Sequence, residues 1–374
     1  MRRSSILRWG VWGVALVKLC ALAAFPGYFI KKASEARVEL DTVGLGGALT
    51  DTFFVLKLLI KPFQLMGFST PISISLTMLV VTLIFQLKLC SRAGKVIWRG
   101  GYRVHRVLIV LILFAPAVNF FSAVALRDAL LYVLVAISVA EILCRGWEGD
   151  SRSFALLCLS TAMMFLLRPE MAVILIGVAL VTYCSATKLR AAVGMTFFPL
   201  LLIVIGYASS LTASYAFNME ITDPFTMLDQ IRESRFQRQF KSDGGGSAIM
   251  AISVWENLGA IEKYGAQVIA TLFMPLSLSN INYALVAIDS LLLIIVTFLT
   301  VLATKGLPSR GLKILAVVGS LMFVVLFLAP FVVNFGNGFR LRLMVWAVVT
   351  GIAVAIISTI DSPSRERNGA LKLA

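Results

Sequence analysis

The chain has 374 residues, 59% of them hydrophobic and only 14% charged, with a mean hydropathy of +0.92. A water-soluble domain cannot hide that much apolar side chain, because its surface must stay mostly polar, so a soluble globular chain is excluded. The formal net charge is +15, and its meaning depends on where the basic residues fall.

In chain order, Met1-Arg2-Arg3 leads into an apolar stretch from Gly10 to Ile30. At about 21 residues that stretch is longer than the apolar core of a leader, so it reads as a retained first helix rather than a cleaved one. A helix needs ~20 residues to cross a ~30 Å hydrocarbon layer. On that measure crossings fall at 9–30, 71–90, 107–126, 129–144, 154–167, 171–187, 192–213, 283–303, 312–333 and 343–360. The spacing predicts an all-α fold, a polytopic transmembrane helical bundle of about 10 crossings. It forms one membrane domain over 1–374, with both termini cytoplasmic. The short 154–167 stretch is followed by Arg168-Pro169-Glu170 and another apolar run. It is either the first of two short crossings or half of a single broken helix.

With the N-terminus inside, the inner segments hold 19 of the 34 Lys+Arg and four of the 19 acids, namely Glu148, Asp150, Asp361 and Glu366. That imbalance accounts for the whole excess charge. It is the positive-inside pattern of a membrane protein, and no nucleic-acid partner is needed to explain it. All five cysteines lie in apolar stretches or at their ends, and His105 has no partner histidine. Neither a disulfide framework, nor a metal site, nor any cofactor is predicted.

Two outer segments are long. The first outer loop, 31–70, carries Glu35, Glu39, Asp41 and Asp51, then a run from Thr52 to Ile60 that reads as an interfacial helix. In the large outer (periplasmic) loop, 214–265, Asp223-Pro224 is a helix start. The helix that follows carries Arg232, Arg235 and Arg238 and stops before Gly244-Gly245-Gly246-Ser247. The amphipathic stretch Ile249 to Tyr264, with Trp255, is predicted to rest at the membrane interface. The apolar run Ala266 to Leu278 is too short to span and reads as re-entrant or interfacial.

On this topology Leu126-Arg127-Asp128, Leu167-Arg168-Pro169-Glu170 and Arg340-Leu341-Arg342 all reach the outer surface. Together with Arg232 and Arg235 these arginines could line one electropositive cavity. Arginine at a membrane edge is costly to bury, and its planar fork suits phosphate. A plainer reading stands beside this one: Arg127 pairs with a neighbouring acid, Arg168 snorkels, and the loop arginines form a solvated helix face. Asp128 and Glu170 are the candidate catalytic carboxylates. Beside arginines they stay ionised and could accept a proton from a sugar hydroxyl, or they only neutralise charge. Glu39 and Asp41 are a weaker acidic pair. Within the membrane stretches Lys18, Asn119, Glu141 and Asp289 are polar exceptions, and a Lys18–Asp289 pair would be the seed of an ion-coupled transporter.

Three motifs carry a resemblance: Ala125-Leu126-Arg127-Asp128-Ala129-Leu130, Phe165-Leu166-Leu167-Arg168-Pro169-Glu170 and Gly336-Asn337-Gly338-Phe339-Arg340-Leu341-Arg342. In them and in their order the chain resembles bacterial polysaccharide repeat-unit polymerases, the O-antigen and exopolysaccharide type of integral membrane glycosyltransferase. The resemblance implies joining of undecaprenyl-pyrophosphate-linked oligosaccharides at the outer face of a bacterial inner membrane. Arg127, Arg168, Arg340 and Arg342 would then be ligands of carrier phosphate or sugar. Related outer-face ligases use a histidine in the large outer loop, and this chain has none there, which argues against the ligase variant. The competing readings are a glycolipid transporter or flippase, a single-sugar transferase working through Glu39 and Asp41, and a non-catalytic subunit docked to other envelope polysaccharide assembly proteins.

Overall fold

The computed structural model describes residues 2–25, 54–96, 103–123, 128–148, 154–167, 169–185, 252–273, 281–304, 307, 310–329, 332 and 335–373. Among them thirteen helices and no strand are found: α1 (Arg2–Ala24), α2 (Phe54–Leu65), α3 (Thr70–Val96), α4 (Arg103–Leu113), α5 (Pro116–Phe121), α6 (Asp128–Glu148), α7 (Phe154–Leu167), α8 (Pro169–Cys184), α9 (Ile252–Glu256), α10 (Ala260–Phe273), α11 (Ile281–Ala303), α12 (Arg310–Leu328) and α13 (Phe335–Leu373).

Seven helical spans are long and apolar enough to cross a membrane. They lie in α1, α3, the α4–α5 pair, α6, α11, α12 and α13. α7 and α8, with 14 and 16 residues, would each extend roughly 21–24 Å at 1.5 Å per residue. That falls short of a ~30 Å hydrocarbon layer. The stretch 192–213 lies outside the described residues. Seven spans, rather than about ten, are what the described helices supply by length and apolarity.

Side-chain contacts orient the helices. Arg8 on α1 donates to Ser91 on α3 at one end of the bundle, and His105 on α4 meets the Ala303 carbonyl of α11 at 3.1 Å at that same end. Ser138 on α6 bonds Ser160 on α7 at 2.7 Å, and Gly146 near the end of α6 lies against Thr182 near the end of α8. α7 therefore runs antiparallel to α6, and α8 runs back beside both. Two separate antiparallel helices, and not one broken helix, occupy 154–184.

α13 is the axis of the bundle. Of its apolar span 83% is buried within the protein, against 17% for α1, which is left at the periphery. Close approach along this axis rests on Gly351: a Cβ there would sit 2.7 Å from both the Ala136 carbonyl and Val139 of α6. Between helices in lipid, small residues are what allow backbones to come this close. Gly177 on α8 plays the same part against Phe323 of α12.

The span over 107–126 is not one helix. Pro116 has no backbone N–H, and the helix stops at Leu113 and restarts as α5. Such a break strands backbone groups in a medium that cannot solvate them. Side chains make the deficit good. Gln86 Nε2 and Asn119 Nδ2 each donate to the Leu113 carbonyl at 3.1 Å, and Asn119 Nδ2 also donates to the Ala115 carbonyl at 3.0 Å. The Ala117 amide donates to Asp289 Oδ1 at 2.9 Å. Much of the intramembrane polarity noted in the sequence is thus the cost of this one interruption.

Two further elements lie in stretches that the sequence places at the membrane interface. α2 packs along α3, with Ile60 buried and Leu58 and Lys61 exposed. Gly67, at φ +88°, makes the turn between them, a conformation that suits a residue without Cβ. Within the stretch 249–264 the described residues form α9 and the start of α10. Trp255 is fully buried, with Lys263 Nζ 5.3 Å from its ring centroid. The driving force is the burial of a large indole against its neighbours, which outweighs a place among lipid headgroups.

Candidate functional site

One group of buried polar residues, Asp128, Gln267, Thr271 and Arg342 among them, lies at the end of the bundle where α5 ends and α6 and α13 begin. Asp128 is the first residue of α6, so its carboxylate meets the positive end of that helix dipole. It is 1% exposed, and its Oδ2 accepts a hydrogen bond from Arg340 Nε at 2.7 Å, a salt bridge between residues 212 apart in the chain. Arg340 is 28% exposed. Its two terminal nitrogens find no hydrogen-bond partner among the described residues. The guanidinium is anchored at its inner nitrogen, and its fork of N–H donors is left unspent, the arrangement that bidentate phosphate recognition uses. Phe339, the residue before it, lies against Phe120 and Phe121 with ring centroids 5.9 and 5.2 Å away. That aromatic contact fixes the first turn of α13 on α5.

Arg342, one turn face removed, behaves differently. It is 0% exposed. It donates to the Ala270 and Thr271 carbonyls at 3.1 and 2.6 Å, to the Val286 carbonyl at 3.2 Å and to Ser290 Oγ at 2.6 Å. Ala270 and Thr271 lie in the last turn of α10, so the guanidinium caps that helix and offsets its negative end. In this structure Arg342 binds the protein itself rather than facing an outer cavity. Tyr264 Oη donates to the Leu326 carbonyl at 2.6 Å and Gln267 Nε2 to the Val332 carbonyl at 3.1 Å. These bonds fasten α10 across the same end. Burial pushes the Tyr264 hydroxyl up to about 12, so it remains a donor at neutral pH.

Asp289 does not touch Lys18. Besides the Ala117 amide, it accepts from Trp346 Nε1 at 3.1 and 3.2 Å. Lys18 Nζ instead donates to Asn119 Oδ1 at 2.8 Å and Ser122 Oγ at 2.7 Å. The two ionisable residues grip opposite ends of α5, and no direct ion pair joins them.

Of the site residues drawn from the sequence, the structure brings Asp128 and Arg340 into contact and sets Arg342 nearby as a strut. Glu170 lies in the first turn of α8, with its side chain outside what is described. Arg127, Arg168, Arg232, Arg235, Glu39, Asp41 and Gly244–Ser247 lie outside the described residues. The α7–α8 junction at Leu167 sits at the Asp128 end, since α7 runs antiparallel to α6 from the Ser138–Ser160 contact onward. Sequence reasoning missed the Phe120–Phe121–Phe339 cluster, Gln86, and the Trp346 contact to Asp289. A proline in the middle of an apolar span was the one signal that pointed toward them.

The fold and these buried charges define a polytopic α-helical membrane protein with a polar cluster at one end. No family model, curated protein sequence or solved structure matches the chain.

Proposed function

We propose that this protein is a membrane glycosyltransferase of the polysaccharide repeat-unit polymerase type, with ten crossings and with the Asp128 end on the outer face of a bacterial inner membrane. Its substrates are polyprenyl-pyrophosphate-linked oligosaccharides. The carrying observation is the Arg340–Asp128 pair: a guanidinium held at Nε with its terminal fork free, joined to a carboxylate from a distant motif at the rim of the bundle.

In the reaction, an acceptor hydroxyl oxygen bonds to the anomeric carbon of the donor sugar. The bond from that carbon to the pyrophosphate breaks, and the leaving group takes the electron pair. Arg340, joined by Arg127 and Arg168, stabilises the charge on the departing pyrophosphate. Arg340 keeps its Nε bond to Asp128 while its terminal fork takes the phosphate, and the Asp128 carboxylate accepts the hydroxyl proton. Glu170 is the alternative base. Arg342 supports this arrangement by holding α10 and the first turns of α13 together.

The test uses purified protein in proteoliposomes with an undecaprenyl-pyrophosphate-linked oligosaccharide. Wild type is expected to yield a ladder of longer carrier-linked products. Arg340→Lys keeps the charge but loses the fork, and is expected to reduce the rate at least about a hundredfold with normal folding. A folded Arg340→Lys protein with wild-type ladders would remove the proposal. The transporter reading keeps one observation in its favour, the interrupted α4–α5 span with Asp289 at the break. Lipid-linked sugar moved across the vesicle wall without being lengthened would favour it.

A further inference from the structure

Lys18 is the one charged side chain between Trp9 and Ala24 of α1, a helix otherwise turned largely to the lipid. Its neighbours Leu16, Val17 and Leu19 are exposed at 62, 68 and 40%, so the lysine stands at a lipid-facing seam between α1 and α5. Both of its hydrogen bonds go to neutral acceptors, Asn119 Oδ1 and Ser122 Oγ. Among the described residues no carboxylate pairs with it. A cation without a counter-charge at membrane depth is expensive, and where one occurs it usually serves a site. An ammonium carries three N–H donors, and here two are spent.

Other features fix the site's position and shape. Ser122 lies one residue beyond the α4–α5 span, which ends at Phe121, so the ammonium is held at the end of that span. Asn119 is itself locked by donating to the Leu113 and Ala115 carbonyls, and Ser122 Oγ by donating to the Asn119 carbonyl at 2.8 Å. The lysine is therefore held in place rather than left to snorkel freely.

We propose that Lys18, with Asn119 and Ser122, is a binding site for the phosphate of an anionic lipid, entered sideways from the bilayer between α1 and α5. A phosphate on an apolar tail suits it because the tail can run along the lipid-exposed surface of α1 while the oxygen takes the third N–H. The site is separate from Arg340 and does not rest on the glycosyltransferase reading. Its lipid is either a membrane phospholipid or a polyprenyl-phosphate carrier, which share the headgroup chemistry.

Native mass spectrometry of the purified full-length protein tests this, with phosphatidylglycerol, undecaprenyl phosphate and phosphatidylcholine titrated separately. Wild type is expected to retain one anionic lipid about tenfold more tightly than phosphatidylcholine, the scale of one charged hydrogen bond. Lys18→Gln should lose that preference and Lys18→Arg should keep it. Retention of both anionic lipids marks a general phosphate site, and retention of undecaprenyl phosphate alone marks a carrier site. Equal binding of all three lipids by wild type, which needs no variant to fold, overturns the proposal. So does an unchanged preference in folded Lys18→Gln.

Discussion

Arg340 and Arg342 sit two positions apart, yet their surroundings give them opposite work. Arg342 spends its donors on carbonyls of α10 and α11 and on Ser290. Removing it strands the last carbonyls of α10 in an apolar medium, at about 1–3 kcal/mol for each group left unmet. Arg342→Met is therefore expected to lower the detergent-solubilised melting temperature sharply, while Arg340→Lys shifts it little. A differential scanning measurement on both variants checks the contrast, and equal shifts would break it. Tyr264 offers a pH test at the same scale. Burial raises its hydroxyl from 10.0 to about 12, so its neutral form is favoured in the folded state. That contribution is complete below pH 10 and is lost as pH rises through 12. Tyr264→Phe should cost about 1 kcal/mol at pH 8, and its deficit against wild type should shrink as the pH is raised above 10.

At the scale of elements, the legible and the illegible parts of the sequence differ for a physical reason. Long apolar runs announced α3, α6, α11, α12 and α13, because length and hydropathy alone decide whether a helix can cross. The break at Ala115-Pro116 was not read, since an apolar run looks continuous when only its hydropathy is followed. Asn119 and Asp289 are at first sight isolated polar exceptions, and only their meeting with Gln86 at Leu113, Ala115 and Ala117 gives them a shared purpose. Asn119→Leu should consequently cost more stability than its partial exposure implies, about 2 kcal/mol. Close packing was equally hidden, since a glycine announces no partner. Gly351→Leu would drive a side chain into the Ala136 carbonyl and Val139, whereas a Cβ at Gly13 meets nothing within 4 Å. Size-exclusion chromatography should show Gly351→Leu aggregated or absent and Gly13→Leu indistinguishable from wild type. The site followed the same division: Asp128 and Arg340 were legible as charges at span ends, but the free fork of one and the self-contained bonding of the neighbouring Arg342 depend on contacts across the whole bundle.

For the whole molecule, helix direction bears on the crossing number. α1 runs from the Arg8–Ser91 end toward the Lys18–Ser122 end, and α13 starts at the Asp128 end and runs away from it. Both described terminal helices therefore have their outer ends on the same side of the bundle, which requires an even number of crossings. Seven spans are odd in number. α8 finishes beside the end of α6, at Thr182 and Gly146, whereas α11 places Asp289 near the opposite end, against Ala117. The sequence predicts a further crossing at 192–213, a stretch outside the described residues. The proposed ten-crossing topology counts the α7–α8 pair as two short crossings. On the proposed ten-crossing topology, the basic excess of the alternate segments would put both termini in the cytoplasm. A fluorescent-protein fusion at the C-terminus should therefore light up, and a single cysteine at Gln230, in the large outer loop, should react with an impermeant maleimide from outside intact cells. A dark C-terminal fusion with a labelled N-terminal tag on the cytoplasmic side would mean an odd number of crossings. It would also set the Arg340–Asp128 end on a side that the carrier-linked substrate need not share.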